Sequence, residues 1–321
     1  MLLFKAVTGW VIAFFSLTTI IFIFMKRLFF MAGLVLLFAA CSKESEDMVN
    51  DAQMEVTVAP VKVHVSGFSV SQEDFPTTRT AQNLADYTGV KAVTLAFYNG
   101  STEVLKHEQV RGALEEGETF GEFECSLPMG SYTLVVIARG MGDGDVFTLT
   151  SPTEAAYTSD HSRETFAYTQ VVDINSTSAV DISATLNRIV AKLQVFSTDN
   201  KTSNANSVRM TFAAGGKAFN PTSGLATANT GFVNTVPISA AVGETSNSVS
   251  YLFLATDEQD IDVTIETLDA EGHTLFTKTV ENVPFKRNRV TKLTGAMYTN
   301  NAVNGGFKLN TDWLPEHTDN F

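Results

Sequence analysis

From residue 56 onward the chain is dominated by short runs in which apolar and polar side chains alternate. In Val56–Val70, Val61, Val63 and Val65 alternate with Lys62 and His64, the pattern of a half-buried strand. Val93, Leu95 and Phe97 repeat the period of two and run into Asn99-Gly100, a strong hairpin signal, with Val104-Leu105 opening the return strand. Phe123, Cys125 and Leu127 predict one strand of a second hairpin. Its turn would be Pro128-Met129-Gly130, with proline at the first corner and glycine at a left-handed position. Tyr132–Ile137 is apolar on both faces and predicts a central strand.

The same style continues. Val180, Ile182, Ala184 and Leu186 alternate, and after Asn187-Arg188 a new alternation starts at Ile189, Ala191, Leu193 and Val195. A domain boundary is placed here. Beyond it come Val208, Met210 and Phe212, a Gly/Asn/Thr/Ser-rich stretch from Gly215 to Asn234, and Tyr251–Leu254. Val263 with Ile265 and Phe276 with Val280 flank the turn Asp269-Ala270-Glu271-Gly272. Val290–Met297 predicts a further strand, and Phe307-Lys308-Leu309 with Trp313 a short last one. No long amphipathic helix is expected after residue 40. Many short strands separated by turn signals predict an all-β sandwich architecture. Gln72–Ala81, polar and broken by Pro76, predicts an exposed loop, as do Glu115–Glu118 and Gly140–Asp145.

The N-terminal region changes the picture. Lys26-Arg27 precedes an apolar run, Leu28–Phe38, followed by Ala39-Ala40 and Cys41. A positive pair, a short apolar core and small residues form a secretory signal. With the cysteine directly after the small residues, it looks like a bacterial lipoprotein signal, in which Cys41 would be lipidated and become the first mature residue. Phe38 departs from the usual smaller aliphatic residue. The run is too short to span a bilayer, which takes about 20 apolar residues. Residues 1–24 are themselves apolar. The simplest reading starts translation at Met25, and the alternative is an inner-membrane helix. Residues 41–54 read as an acidic, flexible tether. Its acids resemble the export signal of surface lipoproteins and equally suit an ordinary linker.

Removing residues 1–40 leaves 281 of the 321 residues, enough for two domains. The removed part holds Lys5, Lys26 and Arg27 and no acid, so 19 bases remain against 35 acids, a formal charge of −16. Such a surface repels nucleic acid and offers membranes no basic patch, which leaves lipid as the route to a membrane. With Cys41 acylated, Cys125 has no intrachain partner, and its place in an alternating run predicts a buried strand position.

Three segments carry a family resemblance. Leu127-Pro128-Met129-Gly130-Ser131-Tyr132-Thr133-Leu134-Val135-Val136 resembles a hairpin of the Bacteroidales fimbrillins, the subunits of type V pili. Leu186–Leu193 resembles their interdomain signature, through Arg188 and the Ala191-Lys192 pair. Val283–Gly295 resembles their strand near the C-terminus, with an Arg-Asn turn at Arg287-Asn288 and the glycine. The three occur in the family's order across most of the mature chain. The resemblance implies two tandem transthyretin-like β-sandwiches, residues 55–187 and 188–321. It also implies assembly with other fimbrial subunits by donor-strand exchange, on a surface tethered to the outer membrane through lipid. A host or bacterial surface receptor is a further partner that such a role would suit. By resemblance, Arg79 is a candidate cleavage site with Thr80 as the new N-terminus, and Phe307–Phe321 the candidate donor. Arg79 equally suits an ordinary loop residue of an uncleaved anchor subunit.

Catalytic chemistry is not expected. His64, His107, His161, His273 and His317 are scattered, with no nucleophile elbow, HExxH or phosphate loop. His64 reads as a solvent-face residue. Asp143-Gly144-Asp145 and Asp257–Asp262 lack EF-hand spacing and read as solvated loops rather than calcium ligands. No cofactor or metal site is assigned. The competing function is a surface lipoprotein that captures glycans, for which Trp313 would be the stacking platform; a core aromatic is the plainer reading of that residue.

Overall fold

A computed structural model describes residues 57–69, 83–159, 161–299 and 307–310. The expectations for the signal, Cys41, the tether, Arg79, Thr80 and Trp313 lie outside the described residues. Among the described residues there are eighteen strands and no helix.

The first nine are β1 (Val58–Ser69), β2 (Ala92–Asn99), β3 (Thr102–Val110), β4 (Glu122–Pro128), β5 (Gly130–Arg139), β6 (Phe147–Ser151), β7 (Glu154–Tyr157), β8 (Thr165–Ile174) and β9 (Val180–Arg188). The rest are β10 (Ala191–Ser197), β11 (Ser207–Phe212), β12 (Ala218–Phe219), β13 (Phe232–Pro237), β14 (Asn247–Leu252), β15 (Glu258–Leu268), β16 (Thr274–Lys286), β17 (Val290–Gly295) and β18 (Lys308–Asn310).

The first half forms one hydrogen-bonded order, β3-β2-β5-β8-β9-β1-β4. β8 and β9 touch only at Phe166↔Arg188 and Ala167↔Asn187. The sheet therefore folds over at that junction, and its arms β3-β2-β5-β8 and β9-β1-β4 face each other. Val93, Leu95, Leu134 and Val136 from one arm pack against Val61, Val63, Phe123 and Ile182 from the other. The second half repeats the plan as two sheets, β13-β11-β15-β16 and β14-β10-β17-β18, around Leu193, Val208, Met210, Val263 and Leu293. Strand for strand, β10 corresponds to β1, β14 to β4 and β17 to β9. β1 and β10 each pair antiparallel with one neighbour and parallel with the other.

The alternation read from sequence holds along β1 as far as Val65 and along β9 and β10, with every second residue buried. Four local expectations are corrected. β4 and β5 are not a hairpin: β4 pairs with β1 and β5 with β2 and β8, so Pro128-Met129-Gly130 is a corner between the two arms. Gly130 is not left-handed. It is small because the Tyr132 ring crosses over it, with the phenol 3.1 Å from where a Cβ would stand, and the Tyr132 hydroxyl donates to the Pro128 carbonyl (2.8 Å). The β2–β3 turn lies one residue later than expected, on Gly100-Ser101 between the paired Asn99 and Thr102. Gly100, at φ +61°, supplies the positive first corner that such a two-residue turn uses.

β2 is buried on both faces, not one. Its second face, with Tyr98, joins Val135 and Ile137 of β5, Leu149 and Tyr157 of the β6–β7 hairpin, and Ile189, Val190, Phe219 and Phe253 from the second half. β12 pairs with β7, Ala218↔Ala156 and Phe219↔Ala155, so one small sheet takes strands from both halves.

Candidate assembly interface

β1 is the first described strand and sits in the middle of its arm. Ala59, Val61, Val63, Val65 and Phe68 are each at most 2% exposed. Its outward residues are paired more loosely: Lys62 Nζ lies 2.8 Å from Glu124, and His64 pairs with Glu122. Both pairs are exposed and contribute little to stability. His64 thus faces solvent, as the alternation predicts. Pro60 precedes the β9 ladder, which starts at Val61, and removes no donor from it. A bulge at Ser66 shifts the register between Val65↔Ala184 and Gly67↔Thr185. Among the described residues β4 pairs only with β1. Loss of β1 would leave β4 and β9 with facing rows of unpaired backbone groups and open the core between them, a state that demands a replacement strand.

At the other end of the chain, β18 lies on β17 with Leu309 opposite Leu293 and Lys308 opposite Thr294. Phe307 packs on the second core. Its ring lies 2.7 Å from where a Cβ on Gly295 would stand, which accounts for that glycine. Just before this segment the chain is clamped by Asp199. The carboxylate accepts from the backbone N–H of Met297 (2.8 Å), Tyr298 (2.9 Å) and Thr299 (2.9 Å), and from Thr299 Oγ1 (2.9 Å). Partial burial works to raise its pKa, but these donated bonds outweigh it and hold the carboxyl below its ordinary 3.8. A depressed carboxylate stabilises the fold above its unfolded pKa and loses that contribution as pH falls through the folded value. The clamp is therefore complete above about pH 4. Asp199→Ala is expected to lower the hydrogen-exchange protection factors of Tyr298 and Thr299 by about tenfold at neutral pH. Wild-type protein should show the same loss only on acidification below about pH 4.

The seam between the halves joins two of the segments singled out by sequence. Arg188 ends β9; its guanidinium pairs with Glu164 (2.7 Å), donates to Asn288 Oδ1 (3.1 Å) and lies over the Phe166 ring. Asn288, at φ +60°, turns the chain between β16 and β17, and its N–H donates to the Val190 carbonyl (2.9 Å). The Tyr87 hydroxyl donates to Glu164 (2.7 Å), and its pKa is pushed up to about 12, first by burial and then by that carboxylate. Arg188 and the Arg-Asn turn are thus two parts of one contact. His161 donates to the Thr235 carbonyl (2.7 Å) and Ser162 to that of Tyr251, capping the edges of β13 and β14.

The remaining polar candidates are dispersed. His107 pairs with Glu118 (2.7 Å) on the β3 side. Asp145 is held by Arg163 (2.6 and 3.0 Å) and by the Gly142 N–H, a closed loop contact. Asp257–Asp262 is not a loop: from Glu258 onward it is strand β15, with Asp257 paired to Arg287 (2.7 Å) and Glu258 to Lys286. Cys125 is half-buried on β4, and burial pushes its thiol pKa up. Sequence reading overlooked one cluster, Asp269, Glu271 and His273 at the tip of the β15–β16 hairpin, whose ligand atoms lie within 4.8 Å of one another. Asp269 already accepts the N–H groups of Glu271 and His273, and these turn bonds account for the grouping.

Fold and seam define an all-β protein of two stitched sandwiches. Residues 52–320 match a family of unknown function, DUF6562, and the chain belongs to that family. No curated protein matches it. Solved structures with a similar outline include a candidate adhesin from Bacteroides ovatus (11% identity, 78% of this chain and 91% of that one, TM-score 0.47). A candidate polysaccharide-binding protein from Bacteroides thetaiotaomicron is similar at 13% identity, covering 75% and 92%, with a TM-score of 0.45. The fimbrial anchor protein Mfa2 from Porphyromonas gingivalis is similar at 11% identity, covering 78% and 95%, with a TM-score of 0.42.

Proposed function

We propose that this chain is a structural subunit of a cell-surface fimbria, joined to neighbouring subunits by exchange of an extended strand. The observation that carries the reading is the position of β1: N-terminal, central in its arm, and committed to the core through five side chains. A strand so placed leaves a vacancy that only another strand fills. The segment that follows it carries Arg79, and cutting there would make Thr80 the new N-terminus and free β1. The Phe307–Phe321 tail is the donor in this reading. Lipid on Cys41 is the tether to the outer membrane, with more than one acyl chain for a stable hold. The three motifs that resemble fimbrillins support the assignment, and two of them meet at the Arg188–Asn288 contact. The division into sandwiches of residues 55–187 and 188–321 belongs to the same reading.

Glycan capture is the less favoured reading. The large hydrophobics exposed among the described residues are valines and methionines, and none offers an aromatic face for a sugar ring. Surface material from the producing cells, labelled with antibody to this chain and viewed by electron microscopy, tests the proposal. Label along or at the ends of filaments is expected. Label confined to the cell envelope, with unchanged filaments when the chain is deleted, would overturn it.

A further inference from the structure

The two repeats turn corresponding sheet faces away from their cores, and these faces differ in charge. On the β9-β1-β4 arm the outward positions include Asp181, Lys62, His64, Glu122 and Glu124, all exposed. Three acids against one lysine leave that face at −2 with the histidine neutral. The matching face of the second half is carried by β17, β10 and β14. Its outward, half-exposed positions include Lys192 on β10 and Lys292 on β17, and among the described residues of these strands there is no acid. It stands at +2 in a chain whose formal charge is −13.

The charges are also similarly spaced. Val290 stands opposite Lys192, so Lys292 lies one strand over and two residues along, about 8 Å away. Glu122 and Glu124 are two residues apart on one strand, about 7 Å. Each face has an apolar end. Along β1, Val58 and Pro60 precede the charges; along β10, Lys192 comes first and Phe196 last. Stacking with β1 and β10 antiparallel therefore sets apolar end on apolar end and charge on charge. The pairs Lys62–Glu124 and His64–Glu122 do not prevent this, because exposed pairs exchange partners at little cost. The other acidic row, on β15, is engaged within its own half: Glu258 pairs with Lys286, and Asp262 accepts from the Asn282 N–H (2.7 Å).

We infer that the Lys192–Lys292 face of one copy docks on the Asp181–Glu122–Glu124 face of a second copy, sheet face on sheet face, with β1 in place. The lysine stems lie on the facing sheet and their ammonium groups reach its carboxylates. Three strands of this length span about 14 by 20 Å. That is well below the roughly 800 Å² that each partner of a stable dimer buries. The contact is weak by itself and acts where copies are already crowded. Each copy carries one face of each sign, on different halves, so the contact can run from copy to copy.

The test uses the full-length chain in mild detergent, carrying Arg79→Ala so that β1 stays. One variant adds Lys192→Glu and Lys292→Glu, and another adds Glu122→Lys and Glu124→Lys. None of the four positions is buried, and circular dichroism with urea titration checks that each variant folds as the parent does. Self-association is read by sedimentation equilibrium up to millimolar chain. The parent should associate, with a dissociation constant that rises about tenfold as salt goes from about 50 to 300 mM. Each variant alone should associate about tenfold more weakly than the parent at low salt. The two mixed should regain the parent's strength, because every face then meets one of opposite sign. Carbodiimide, which joins an ammonium to a carboxylate in contact with it, is applied to a mixture of heavy-isotope and light parent chains. It should link Lys192 or Lys292 of one copy to Glu122, Glu124 or Asp181 of another. A monomeric parent, variants that associate as the parent does, or a mixture no stronger than its parts would overturn the inference. So would lysine links to Asp260 or Asp262, or to acids of residues 311–321 in the same copy, in place of the first-half face. Neither filament labelling nor release of β1 enters these outcomes, so the docking face and the fimbrial reading fail separately.

Discussion

Placing aspartate at Val63 is expected to unfold the first core. Val63 is 1% exposed and lies between Phe123 on β4 and Ile182 on β9, at the centre of the ladder that holds the three-stranded arm together. A carboxylate there has no cation to meet on the buried face of that arm, and an unpaired buried charge costs more than about 3 kcal/mol. Val63→Ala removes only two methyl groups and should cost about 2 kcal/mol. Urea titration of the two variants separates charge from volume. An aspartate variant within about 1 kcal/mol of wild type would mean that β1 is not seated as described.

Phe253→Ala should have the next largest effect, and a different one. Phe253 is fully buried and stacks on Phe219 with ring centroids 4.2 Å apart and planes 17° from parallel. Tyr157 of the first half lies stacked against it at 6.3 Å. The cost of truncation is about 3–5 kcal/mol. Because Phe253 sits in the cluster that joins the halves, the loss should fall on their coupling. Wild-type protein is expected to unfold in one transition, and the variant in two. A single transition merely shifted to lower denaturant would place Phe253 in the stability of one half alone.

Sequence alternation was sufficient to read the strands that have one wet face. Along β10, Ala191, Leu193 and Val195 are buried and Lys192, Gln194 and Phe196 are half-exposed, as the period of two requires. It could not say which strand lies beside which. Phe123–Leu127 followed by Pro128-Met129-Gly130 carries local turn chemistry, and a corner between two sheets uses the same chemistry as a hairpin. The period of two at Val93, Leu95 and Phe97 gives β2 the pattern of a strand with one apolar face, whereas the structure buries Ala96 and Tyr98 against the β6–β7 hairpin and the second half and bonds Thr94 to Glu108. β12 is two residues long and has no period to detect. The interface residues were visible only through resemblance: Arg188 and Asn288 are 100 positions apart, and nothing local to either announces the other. Asp199 gave no signal, since an acid that caps distant backbone donors looks like any loop aspartate.

In the proposed assembly β1 leaves and is replaced. The most direct measurement is the N-terminus of the chain recovered from purified filaments, by mass spectrometry of its first peptide. Thr80 is the expected first residue, with β1 and everything before it gone. Filaments in which every copy of this chain still begins at Cys41 would contradict it.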